Sequence, residues 1–132
     1  MSKTVKEILD YVDEVKPNAF TAAQKVNWLT QIERRIQLEI YLDAEEDLVG
    51  YNWDDDQNTE VLTDSPYDGL YTYFLAAMID FAHGEYSPYQ ADMSAFNEMW
   101  GAFSRYYARR FAPANREDAE ALHFQVWTGG DF

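Results

Sequence analysis

A run of acids in the middle of the chain is the first place where residue types and spacing could support chemistry. Asp54, Asp56 and Asn58 fall on positions 1, 3 and 5 of an EF-hand calcium loop. That loop needs glycine at position 6 and a bidentate glutamate at position 12, where this chain has Thr59 and Ser65. The clustered acids therefore predict weak attraction of cations and no specific calcium site.

Other residues suited to catalysis or metal binding are scarce. His83 follows Asp80 by three residues, a spacing at which one helix face could direct both at a metal, but two ligands make only half a site. The chain has no cysteine, no glycine-rich phosphate loop and no Ser/His/Asp arrangement. We therefore expect a protein that is not an enzyme and that uses no metal or other cofactor.

The net charge of −14 is concentrated in one stretch of the chain. Residues 36–104 contain fifteen acids and no Lys or Arg, whereas residues 1–35 and 105–132 are close to balanced. Solubility explains any single acid, but an ordinary helix surface mixes both signs over such a length. Contacts to phosphate need Lys or Arg, so simple nucleic-acid binding is disfavoured. No apolar run has the length of a membrane span, so no membrane contact is expected.

Apolar spacing and capping signals predict an all-α fold. Helices are expected at about 4–15, 22–42, 66–83 and 88–111, because apolar residues recur there every three or four positions. Capping boxes open the first two helices, and Ser-Pro pairs are expected to open the last two. Gly84 predicts a left-handed residue that ends the third helix. The capping residues are Thr4 and Glu7, Thr21 and Gln24, Ser65 and Pro66, and Ser87 and Pro88.

These helices are expected to form a four-helix bundle-like domain over residues 1–112, followed by an extended C-terminal tail over 113–132. Residues 43–64 break the helical pattern and form a long acidic loop. Two β-prone pieces, 48–53 and 59–63, flank a polar turn, so the loop is either a small β-hairpin or irregular. The tail is rich in aromatic residues and should fold back on its own domain or dock on another chain.

The order of elements carries a family resemblance. A short helix precedes a longer one that begins near Asn18–Phe20 and contains Lys25–Ile36, KVNWLTQIERRI, and the acidic loop follows. Next come Ser65–Phe81, SPYDGLYTYFLAAMIDF, then Gly84–Tyr89, GEYSPY, and then Phe96–Tyr107. This pattern resembles the head–tail connector (adaptor) proteins of long-tailed bacteriophages and prophages.

The resemblance, which covers about residues 1–111, implies a virion structural protein that assembles as a homo-oligomeric ring, twelvefold by the family pattern. Such a ring joins the portal protein to the next neck or tail protein, and DNA passes through its lumen without being specifically bound. The protein is then located in the neck of the virion and in the host cytoplasm during assembly. Family members commonly grip the portal with a C-terminal segment, a role that would fall here on residues 114–132.

Three groups of residues become candidates under this hypothesis. Acids that face a lumen repel phosphate, and exposed aromatic residues contact partner proteins. A ring also needs two unlike faces on each subunit. The candidate lumen-facing acids are Glu45, Glu46, Asp47, Asp54, Asp55 and Asp56. The candidates for contact with the portal or another partner are Tyr51, Trp53, Phe124, Trp127 and Phe132, and those for subunit contact are Trp28, Arg34 and Arg35.

Two other functions stay open at this point. A small acidic helical protein can mimic DNA and inhibit a host DNA-binding enzyme, although the densest acids here sit in one loop beside Tyr51 and Trp53. Another neck protein, a stopper or tail terminator, is the third hypothesis. By resemblance those classes are more often β-rich, whereas this chain has a mostly helical pattern.

Overall fold

The computed structural model describes residues 2–111, and most of this part of the chain is helical. The four longer helices are α1 (Val5–Val15), α2 (Ala22–Ile36), α4 (Gly69–Ala82) and α5 (Tyr86–Arg110). Between α2 and α4 lie a π-helical turn (Gln37–Tyr41), a 3₁₀ turn (Glu45–Asp47) and the short helix α3 (Trp53–Asp56). Over the described residues the all-α prediction is confirmed. The predicted tail over 113–132 lies outside them.

The chain divides into two compact units, one ending at Trp100 and one beginning at Gly101. The boundary falls within the sequence of α5, and the described part of the second unit is residues 101–111. In the first unit α2 packs against both α1 and α4. Across residues 2–111, no helix is long and apolar enough to cross a membrane.

The core of the first unit collects the apolar stripes that the sequence predicts. The buried residues of α1 and α2 recur at helical spacing, so one face of each helix is removed from water. The fully or nearly fully buried side chains include Val5, Ile8, Leu9 and Val12 of α1, Val26, Leu29, Ile32 and Ile36 of α2, Leu70, Leu75 and Ile79 of α4, and Phe96 of α5.

The predicted capping box of the first helix is present, and at the second helix its threonine half is present. The hydroxyl of Thr4 accepts from the N–H of Glu7 at 3.1 Å, and the carboxylate of Glu7 accepts from the N–H of Thr4 at 2.9 Å. The hydroxyl of Thr21 accepts from the N–H of Gln24 at 3.1 Å. These bonds satisfy N–H groups that the helix itself leaves without partners.

The Ser-Pro signals are misplaced as helix starts. The chain before α4 is held in a turn, in which the N–H of Tyr67 donates to the carbonyl of Asp64 at 3.0 Å, and the helix begins only at Gly69. The fourth long helix begins earlier than expected, so Ser87 and Pro88 lie inside its first turn. Proline is tolerated there because the first N–H groups of a helix have no intrahelical partner.

Gly84 ends α4 as the sequence predicts. Its φ is 74°, in the left-handed region. The N–H of Gly84 donates to the carbonyl of Phe81 at 3.0 Å, and the N–H of Glu85 donates to that of Asp80 at 2.9 Å. These two bonds form a Schellman motif, which reverses the chain into α5.

The conformation of Gly84 generates a stability prediction. A Cβ at this position would meet nothing within 4 Å, so the cost of Gly84→Ala comes from the left-handed backbone alone. We expect Gly84→Ala to lower the free energy of unfolding by about 1 kcal/mol. Gly84→Asn is the matched control and should cost less, since asparagine tolerates this region. Urea denaturation measures both, and equal losses for the two variants would contradict the backbone explanation.

An acidic segment as the candidate functional site

The acidic segment, defined as residues 43–64, does not pair with itself as a hairpin. Its second half lies instead beside the N-terminus, where Thr4 and Glu60 form an antiparallel bridge. The N–H of Val5 donates to the carbonyl of Thr59 at 2.9 Å, and the N–H of Val61 donates to that of Lys3 at 3.0 Å. Neither predicted form is confirmed: the segment contains a 3₁₀ turn and the short helix α3, and its β-prone piece 59–63 finds its backbone partner outside the segment.

The first half of the acidic segment is fastened to the buried side chain of Gln37. The amide nitrogen of Gln37 donates to the carboxylate of Asp43 at 3.0 Å and to the carbonyl of Asp47 at 3.1 Å. Its amide oxygen accepts from the N–H of Val49 at 2.9 Å. One side chain therefore positions the 3₁₀ turn that carries Glu45, Glu46 and Asp47.

The outward side of α2 holds the middle of the acidic segment. The guanidinium Nε of Arg34 donates to the carbonyl of Val49 at 3.0 Å. One turn earlier, the hydroxyl of Thr30 accepts from the N–H of Tyr51 at 2.9 Å. The backbone through Gly50 consequently follows α2 and leads into α3.

A buried carboxylate, that of Glu33, forms the centre of the attachment. Glu33 is fully buried in α2. It accepts hydrogen bonds from the hydroxyls of Tyr51 and Tyr71, both at 2.6 Å, and from the N–H of Leu62 at 2.9 Å. The hydroxyl of Tyr71 in turn accepts from the N–H of Thr63 at 2.9 Å. Two points of the acidic segment and one residue of α4 thus converge on one side chain of α2.

The three donors take the place of a cation beside Glu33. Burial raises the pKa of Glu33, and the hydrogen bonds from Tyr51, Tyr71 and Leu62 lower it by less, so the net shift is upward. Burial, together with the charge of Glu33, raises the pKa values of Tyr51 and Tyr71, which keeps both hydroxyls protonated as donors. A buried charge without such partners would be strongly destabilising.

Most of the acids on the acidic segment are exposed. Glu45 and Glu46 project from the 3₁₀ turn, and Asp54 and Asp55 project from α3, all four in contact with solvent. Asp56 is half-buried, and its carboxylate accepts from the N–H of Asn52 at 2.7 Å. Asp56 therefore has a structural role at the start of α3, whereas Asp54 and Asp55 are exposed to solvent.

No Lys or Arg between residues 2 and 100 forms an ion pair with the exposed acids, which are Glu45, Glu46, Asp47, Asp54 and Asp55. Each of these cations is engaged by another acid or by a carbonyl. The ion pairs are Lys3 with Asp68, Lys6 with Asp10, Lys16 with Asp80 and Asp92, Lys25 with Asp13, and Arg35 with Glu39. Arg34 bonds to the carbonyl of Val49 instead. None of these ion pairs includes an acid of the acidic segment, and Arg34 is the positive charge that lies beside it.

Asp80 and His83 are not arranged as a metal site. The ammonium of Lys16 donates to both carboxylate oxygens of Asp80, at 2.9 and 2.8 Å, and to Asp92 at 3.1 Å. The ring of His83 stacks on that of Phe20 with 5.3 Å between centroids. Within residues 2–111, no group of three or more His, Asp or Glu side chains could hold a metal ion. His123 lies outside the described residues.

The candidates for protein contact occupy varied positions. Tyr51 is half-buried with its hydroxyl on Glu33, and Trp53 is half-buried at the start of α3. Trp28 packs edge-on against Phe20 at 5.4 Å. Arg35 lies 4.7 Å from the ring centre of Trp100 as well as beside Glu39. The remaining candidates, Phe124, Trp127 and Phe132, lie outside the described residues.

Sequence reasoning missed the buried polar residues that fasten the segment. Glu33 and Gln37 were not singled out, although each lies on the apolar stripe of the second predicted helix, four residues from Leu29 and Glu33 respectively. A charged or amide side chain at a core position must have partners, and this was the available signal. The same signal marks Lys25, which is buried and pairs with Asp13 at 2.6 Å.

In comparisons with known proteins, no family model matches this chain, and neither a curated protein nor a solved structure matches it. The resemblance to head–tail connectors stays a prediction.

The hydroxyls on Glu33 generate a second stability prediction. Tyr71→Phe removes a donor to a buried charge and an acceptor for the N–H of Thr63, and should lower the free energy of unfolding by about 3 kcal/mol. Tyr51→Phe removes one donor and should cost about 2 kcal/mol. Tyr11→Phe, at an exposed tyrosine of α1, is the control and should stay within about 0.5 kcal/mol of the wild type. Chemical denaturation measures all three, and losses at Tyr51 and Tyr71 no larger than at Tyr11 would show that the network contributes nothing.

The raised pKa of Glu33 predicts a pH dependence. The folded state holds the Glu33 proton more tightly than the unfolded state, whose pKa is near the ordinary value of 4.5. The unfolding free energy of the wild type relative to Glu33→Gln should therefore fall as pH rises from about 4.5 through the folded pKa, and then level off. Denaturation of both proteins across this range measures the difference, in which the other carboxylates cancel. A difference that rises with pH would mean that the three donors outweigh burial.

Proposed function

We propose that this protein is a structural head–tail adaptor of a virion, which assembles as a homo-oligomeric ring and carries DNA through its lumen without catalysis. The four longer helices form its bundle-like scaffold. The observation that carries the proposal is the acidic segment: exposed acids that form no ion pair with a Lys or Arg of residues 2–100, held on a scaffold by buried hydrogen bonds.

A DNA conduit needs a wall that does not bind its cargo. Phosphates are attracted by Lys and Arg, and clustered carboxylates repel them over about one Debye length, roughly 8–10 Å at physiological salt. Five of the six cations of residues 2–100 are paired with acids within the chain, so Arg34 is the one left to attract a passing duplex. Asp54 and Asp55 suit the lumen best, since both are exposed on α3.

The anchoring of the segment supports the same function. A flexible acidic loop could swing away from a lumen or collapse against a partner. Here Glu33 and Gln37, both buried in or directly after α2, hold the segment at several points. Repetition around a ring would turn each subunit's two exposed α3 carboxylates into a continuous negative band.

The decisive test is direct localisation. Cryo-electron microscopy of virions whose genome encodes this chain should place the helical fold as a ring below the portal, and deletion of the gene should leave separate heads and tails. Absence of the protein from the neck of mature particles would overturn the proposal. If a pull-down instead recovers a host nuclease or restriction enzyme whose activity the purified protein inhibits, the DNA-mimic hypothesis takes its place.

The role of α3 predicts an effect on DNA passage. Asp54→Lys/Asp55→Lys places two cations per subunit where the wild type has two anions, so the wall should bind phosphate in a salt-dependent way. Particles should still assemble but eject their DNA several-fold more slowly, as measured by dye fluorescence on released DNA. Glu14→Lys/Glu98→Lys, which makes the same charge change at exposed positions of α1 and α5, is the control and should eject at the wild-type rate. Equal ejection rates for the two variants would show that α3 does not line the lumen.

A further inference from the structure

Two surfaces of the described residues combine exposed apolar side chains with charged ones. The charges are negative on the first surface and positive on the second. The first, the leucine–acid surface, consists of Leu38, Leu42, Glu45 and Glu46. Leu42 is 64% exposed and Leu38 is 43% exposed, and the two leucines are four residues apart around the π-helical turn. The two exposed glutamates follow Leu42 along the chain after Asp43 and Ala44.

The second, the arginine–aromatic surface, is formed by Arg105, Arg109, Arg110 and Phe111 at the end of α5. Arg105 and Arg109 are exposed and four residues apart, so they lie on one side of the helix. Phe111 is 59% exposed, and the guanidinium of Arg110 lies 6.0 Å from the centre of its ring. Within residues 2–111, the three arginines form no ion pair with an acid, unlike the lysines of the first unit.

We propose that the arginine–aromatic surface of one copy docks on the leucine–acid surface of a second copy. Apolar side chains on both sides would be removed from water, which supplies the attraction, and the opposite charges fix which surfaces meet. Exposed ion pairs alone contribute little to affinity, so the contact depends on the exposed leucines and Phe111.

The contact joins unlike faces, and each copy carries both. Such heterologous contacts repeat from copy to copy and close into a ring when the rotation permits. The inference rests on the proposed function and divides the acidic segment in two: Glu45 and Glu46 serve the contact between copies, and Asp54 and Asp55 remain for the lumen.

Charge reversal on the full-length chain tests the contact. Arg105→Glu/Arg109→Glu and Glu45→Lys/Glu46→Lys each place like charges opposite one another, and each should raise the dissociation constant for self-association at least about 100-fold. An equimolar mixture of the two variants should assemble again, because every contact between alternating copies is then complementary. The variant with all four reversals should also assemble. Sedimentation velocity gives the size of each species, and circular dichroism checks that each variant is folded.

Glu14→Lys/Glu98→Lys again provides the matched control, with the same charge change as the acid-surface variant at other exposed positions. It should self-associate as the wild type does. Folded single-surface variants that assemble normally, or a mixture that stays monomeric, would overturn the inference and leave the adaptor proposal standing. A wild type that is monomeric at its highest soluble concentration would overturn it too, whereas the adaptor proposal is decided separately by localisation in the virion.

Discussion

The buried carboxylate of Glu33 is the interaction on which the position of the acidic segment depends. It gathers the hydroxyls of Tyr51 and Tyr71 and the N–H of Leu62 at 2.6 to 2.9 Å, and so joins α2, α4 and both halves of the segment. Because the site contains no cation, the charge is tolerated only while all three donors are in place. This requirement selects one conformation of the segment, whereas apolar contacts alone would permit several.

The buried polar groups of this chain share that logic. Gln37 bonds to the carboxylate of Asp43 before the 3₁₀ turn, to a carbonyl in the turn and to an N–H after it, and Lys16 bonds to carboxylates of both α4 and α5. Across residues 2–111, no buried side-chain polar atom lacks a hydrogen-bond partner. The acids of the acidic segment fall into two kinds. Some accept hydrogen bonds inside the structure, and the others lie on the surface and form no ion pair with a Lys or Arg of residues 2–100.

The surface kind gives the protein its character. Under the proposed function, the acidic segment and the exposed leucines that precede it meet other macromolecules by repulsion on one side and docking on another. Repulsion needs only charge and a fixed position, so Asp54 and Asp55 suffice for it. Docking needs apolar area as well, which Leu38 and Leu42 provide.

Local signals in the sequence determined the helices, the capping at Thr4, Thr21 and Gly84, and the confinement of negative charge to the middle of the chain. Those signals act within about four residues, the reach of one helical turn, so they are legible without the fold. Tertiary structure alone decided that Glu33 meets Tyr71, thirty-eight residues away, and that Thr4 pairs with Glu60. The sequence shows that a carboxylate in the core needs hydrogen-bond donors. Which donors it meets depends on packing, because many tyrosine hydroxyls and backbone N–H groups of the chain could donate to it. The late start of α4 has the same explanation. The Ser-Pro pair favours a helix start locally, but the chain there forms a turn from Asp64 to Tyr67, next to the hydrogen bond from the N–H of Thr63 to the hydroxyl of Tyr71.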